Sequence, residues 1–143
     1  MISWAHTQRD WTQHQTDRWV TAVRRLAETL VEAGMNVRFD LWHQDSTATD
    51  FTRWSPYEVE HSDFTLLVVS KAWRERWQGL NDPAEGAGSA VEADTIKGLF
   101  QQDQAMFQCK HIVVLLDGVD EREVPPELSR LRRVRIDDIS RWC

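Results

Sequence analysis

The chain has 143 residues, enough for one domain with a real core. It is 41% hydrophobic and 28% charged, the balance of a globular protein, and no apolar run reaches the roughly 18 residues of a membrane helix. A net charge of −6 argues against nucleic acid as the main partner, since phosphate binding draws on an excess of Lys and Arg. Cys109 and Cys143 form no disulfide framework and no signal peptide is visible, so a cytoplasmic setting is expected. Eight tryptophans is a high count for this length, read either as core packing or as aromatic walls of a ligand site.

Met1-Ile-Ser-Trp-Ala5 reads as the end of a first strand. It suits a single domain over 1–143, either excised from a longer protein with further domains or opening on a very short first strand. From about Thr12 to Ala33, apolar residues at Trp19, Val20, Val23, Leu26, Ala27, Leu30 and Val31 have the spacing of a helix burying one face. Gly34 follows, where a left-handed cap is common. Met35-Asn-Val-Arg-Phe39 reads as a short strand ending at Asp40, which completes a βαβ unit. The polar connection from Leu41 to Ser55 is long for its kind. Pro56 to His61 is expected as a short helix with Pro at its first position.

Asp63-Phe-Thr-Leu-Leu-Val-Val-Ser70 is a near-continuous apolar run, suited to a strand buried on both faces of a parallel sheet. An aromatic-basic segment, Lys71 to Trp77, and a loop of small residues, Gln78 to Ser89, follow. The next helix runs from Ala90 to Phe100, with Glu92 in its first turn. His111-Ile-Val-Val-Leu-Leu-Asp117 is a second buried strand closed by Gly118. Pro126 to Leu131 suits one helical turn, and Arg133 to Asp137 a last strand. Strands alternating with helices predict a doubly wound α/β domain with about five parallel strands. In such sheets ligands bind beyond the carboxyl ends of the strands.

Ile2-Ser-Trp-Ala-His6 resembles the "FISYSH" box of TIR domains, and more closely that of their SEFIR relatives. Gly34 to Asp40, Ser62 to Ser70 and Arg74-Glu-Arg-Trp-Gln-Gly79 follow in the family's order. A Gly-rich stretch, Gly86-Ala-Gly88-Ser-Ala-Val, then leads to Glu92. Valine stands where tryptophan usually precedes this glutamate. The resemblance implies a flavodoxin-like three-layer sandwich. It also implies one of two functions: an NAD+-cleaving effector of bacterial anti-phage defence, or a signalling adaptor acting through self-association. The first needs no cofactor, since NAD+ is the substrate.

Nicotinamide leaves a cationic pyridinium as a neutral base, so cleavage needs no general acid, unlike ordinary glycoside hydrolysis. One carboxylate near the ribose suffices to stabilise the developing positive charge. The resemblance gives that role to Glu92; otherwise Glu92 only favours a helix N-terminus. Ser3, Trp4 and Ala5 end the first strand, where such enzymes contact the nucleotide. Asp40 is placed to bond ribose hydroxyls or to cap a turn. Ser70 ends the central strand, and Trp73 beyond it either stacks on a ring of NAD+ or packs in the core. The histidines and cysteines form no zinc pattern, and the chain has neither a Gly-Lys-Ser/Thr phosphate loop nor a Gly-x-Ser-x-Gly elbow.

Overall fold

The computed structural model describes residues 1–43, 51–80 and 87–137. Four parallel strands form one sheet: β1 (Ile2–Trp4), β2 (Thr65–Val68), β3 (His111–Leu116) and β4 (Arg132–Ile136), in that spatial order. Ile2 pairs with Leu66, Leu66 with Ile112, and Ile112 with Arg132. Alternate residues therefore face opposite layers. Leu67, Val69, Val113 and Leu115 look to one side and Trp4, Val68, Val114 and Leu116 to the other. Both sets are almost fully buried. This is the doubly wound α/β arrangement expected, with four strands among the described residues in place of about five.

The missing strand is Met35 to Phe39. Its apolar alternation is real, and Phe39 is fully buried. Among the described residues its neighbour is β1, which is three residues long. One bond forms, from the Ile2 N–H to the Arg38 carbonyl at 3.0 Å, before Asp40 turns the chain into a 3₁₀ turn at Asp40–His43. The segment lies beside β1 without becoming a ladder.

Helix α1 (Gln13–Glu32) is set by both of its ends. Thr12 Oγ1 accepts from the Gln15 N–H at 3.2 Å, and Gln15 Oε1 accepts from the Thr12 N–H at 2.8 Å, a complete capping box. At the other end Gly34 takes φ 89°, and the N–H groups of Gly34 and Met35 return to Val31 and Leu30. A side chain at 34 would strain that left-handed turn. Trp19, Val23, Leu26 and Ala27 are buried against the second sheet face.

The first face is covered by α2 (Phe51–His61), α3 (Lys71–Trp77), α4 (Ala87–Gln102) and α5 (Gln104–Lys110). Two boundaries differ from expectation. Helix α2 begins five residues before Pro56, which therefore sits inside it. Packing of Trp54 and Val59 into the core shared with Ile96 of α4 carries the helix through the proline. Helix α4 begins at Ala87, so Glu92 stands in its second turn and not its first. The stretch Ala87-Gly-Ser-Ala90 is helical despite its glycine, because α4 packs along both α2 and α3.

On the second face, among the described residues, α1 covers only part of the sheet. The rest forms an open groove of about 860 Å³, walled by Leu30, Met35, Tyr57, Phe64, Leu66 and Val134, among others. Among the described residues no helix is long and apolar enough to cross a membrane.

Candidate functional site

Strand β1 ends at Trp4, and the chain leaves it through Ala5 and His6. Trp4 is 5% exposed, with its ring 5.6 Å from that of Phe39. Its indole Nε1–H donates to Asp40 Oδ1 at 2.8 Å. The Leu41 N–H donates to the same oxygen at 2.9 Å. The other oxygen, Asp40 Oδ2, lies 2.6 Å from His6 Nε2. Two N–H donors therefore meet one oxygen of this carboxylate and an imidazole meets the other. The imidazole also lies over the Trp4 ring, with centroids 4.2 Å apart. Its side chain is 39% exposed, while that of Asp40 is 19% exposed.

The exit of β1 is held from two further directions. The Trp19 Nε1–H donates to the Ala5 carbonyl at 2.7 Å, which ties α1 to this corner. The Trp73 Nε1–H donates to Ser3 Oγ at 3.1 Å. Ser70, just past β2, accepts the Trp73 N–H at 3.2 Å and so caps α3. Ser3 and Ser70 are both buried. Thus Ser3, Trp4, Ala5, Asp40, Ser70 and Trp73 lie together where β1 and β2 end.

Trp73 is 4% exposed and stacked on Trp77 with an interplanar angle of 14°. Its ring belongs to the core, so stacking on a ligand would require the core to open. Its visible work is to hold Ser3. Asp40 fills the turn role and, beyond that, fixes His6. Arg74 pairs with Glu123 at 3.0 Å.

Glu92 enters from a different element. It is half-buried on α4. Burial holds the Met1 ammonium below its ordinary value, and Glu58, Glu92 and Asp63 favour its charge. The second turn also removes the simplest structural role for this residue, because the helix-end charge effect fades after the first turn. Residues 81–86, which include part of the Gly-rich stretch before Glu92, lie outside the described residues.

His6 is the residue that sequence reasoning passed over. In the sequence it stands as the last residue of the TIR-like box and as one of five histidines without a zinc pattern, and among the described residues no group of three or more His, Cys, Asp or Glu is placed to hold a metal. The usable signal was its position two residues beyond Trp4, at the mouth of a strand facing an acidic turn.

The family model for the SEFIR domain matches residues 10–136. The chain belongs to the SEFIR family. The SEFIR domain is TIR-like, in keeping with the parallel sheet and its helical layers. The match starts after β1, so Ser3, Trp4, Ala5 and His6 stand outside it while Asp40, Ser70, Trp73 and Glu92 stand inside. No curated protein and no solved structure matches the chain.

Proposed function

We propose that this SEFIR domain is an NAD+ hydrolase, cleaving the bond between nicotinamide and ribose, and that it serves as the effector domain of a defence protein. The observation that carries this reading is the half-exposed His6–Asp40 pair, set beside Ser3 and Ser70 where β1 and β2 end. Polar groups converging past strand ends are the usual ligand site of an open α/β sheet. Glu92 is the carboxylate that stabilises the ribosyl cation. Asp40 acts through His6, since both of its oxygens are already engaged. The test is incubation of purified protein with NAD+ and chromatographic identification of the products. Nicotinamide with a linear or cyclic ADP-ribose product supports the reading; intact NAD+ across a wide range of protein concentration refutes it.

A second reading is favoured by the groove on the other sheet face. Met35, Tyr57, Phe64 and Val134 line it and remain exposed. Exposed apolar patches of this kind mark interaction sites. In that reading the SEFIR domain is an adaptor that associates with a second copy. Light scattering separates the two. A concentration-dependent dimer that Tyr57→Arg abolishes, with no NAD+ turnover, favours the adaptor. A steep rise of specific activity with protein concentration joins the readings, with assembly ordering the site.

A further inference from the structure

The leaving of nicotinamide is half of the reaction. The ribosyl cation must then be captured by water, and water must lose a proton as it bonds. We propose that His6 is the base for that capture step and that Asp40 is its positioning residue; this rests on the NAD+-cleaving reading above.

The geometry assigns the parts. A carboxylate oxygen 2.6 Å from Nε2 requires the hydrogen to be on Nε2, because an ionised carboxylate only accepts. The lone pair of neutral His6 is therefore on Nδ1. Asp40 sets the tautomer, and the imidazole packs on the Trp4 ring in a tilted contact, 4.2 Å between centroids and 39° between planes. Asp40 is itself fixed by Trp4 Nε1 and the Leu41 N–H, so the acid cannot swing to another donor without breaking two bonds. His6 is open to solvent while its anchor is mostly covered. A base clamped by a mostly covered acid, with no partner on its other nitrogen among the described residues, is the arrangement that activates an oxygen nucleophile.

The C1′–N bond of NAD+ breaks and its electron pair stays on the nicotinamide nitrogen. A lone pair of water forms the C1′–O bond. One proton of that water passes to His6 Nδ1 and then to solvent. Asp40 stabilises the imidazolium without taking the proton. A purely structural His6 would instead only cover Asp40, which already holds two donors without it.

A nucleophile that carries no proton separates these roles. 3-Acetylpyridine attacks through its ring nitrogen and has nothing to surrender. Wild type and His6→Gln are incubated with NAD+ and 3-acetylpyridine, and ADP-ribose and the exchanged dinucleotide are quantified in the same mixture. His6→Gln is expected to lose on the order of 100-fold in ADP-ribose formation, the typical share of a positioned base, while exchange stays within about twofold. Asp40→Asn should shift the ratio of hydrolysis to exchange in the same direction. Hydrolysis and exchange falling together in both variants would overturn His6 as the base and leave the NAD+ reading standing. Undiminished hydrolysis in His6→Gln would do the same. Absence of both products in wild type would overturn the parent reading and this assignment with it.

Discussion

The indole N–H of Trp73 meets the hydroxyl of Ser3 at 3.1 Å, across 70 residues of sequence. Both groups are buried, and the bond joins α3 to β1 at the corner where the candidate residues gather. Trp73→Phe keeps most of the ring and leaves Ser3 Oγ without its donor. The expected cost is about 1–3 kcal/mol, the price of an unsatisfied buried polar group. Trp73→Ala should cost about 3–5 kcal/mol, because it also opens a cavity beside Trp77. Adding Ser3→Ala to Trp73→Phe should recover part of the loss. Denaturant unfolding of the single and double variants checks this, and strict additivity would contradict it. A folded Trp73→Ala protein with an NAD+ Michaelis constant raised tenfold would instead return the ring to the ligand.

His111 predicts a pH dependence. It is 1% exposed, stacked on Phe107 at 3.7 Å, and bonded through Nδ1 to the Phe107 carbonyl at 3.0 Å. A carbonyl only accepts, so Nδ1 carries the hydrogen. Nε2 is buried with no hydrogen-bond partner. Burial pushes the imidazole down to about 4 from an ordinary 6.5, partly opposed by the Phe107 carbonyl. The unfolded chain therefore takes up this proton first as pH falls. The contribution of neutral His111 is complete above pH 6.5 and is lost progressively between 6.5 and about 4. His111→Gln should be less stable at neutral pH and lose less stability across that window. Equal losses in variant and wild type would contradict the assignment.

Pro56 is the residue of α2 that works against its helix. Its ring removes one N–H from the ladder and crowds the preceding turn. Pro56→Ala should raise stability by about 2 kcal/mol, the helix-interior cost less the entropy that proline removes from the unfolded chain. The melting midpoint checks it; a lower midpoint means that the proline ring itself serves the packing of α2 on α4.

The sequence made β2 and β3 legible because both are apolar runs ended by a polar or glycine stop. It made α1 legible because Gly34 marks where the apolar period ends. Three features depended on partners that a linear reading does not supply. Met35 to Phe39 alternates like a strand, yet β1 beside it is too short to pair. Residues 87–90 look like loop, and their helix exists through contacts with α2 and α3. The meaning of His6 lies in Asp40, 34 positions away. The sequence places Ser3, Trp4, Asp40 and Ser70 where strands end, but not the bonds that tie this corner together. The expected shape of the polar loop after Asp40 falls partly outside the described residues.

In the NAD+-hydrolase reading, a carboxylate at position 92 drives the cleavage. Glu92→Gln keeps the size of the side chain and removes its charge. Wild type and variant, at matched and high protein concentration, are given NAD+, and nicotinamide is quantified beside the melting midpoint of each preparation. The account predicts release by wild type and a loss of at least about 100-fold in the variant, the scale of one electrostatic stabiliser, with midpoints within a few degrees. Full release by a well-folded Glu92→Gln protein would contradict it.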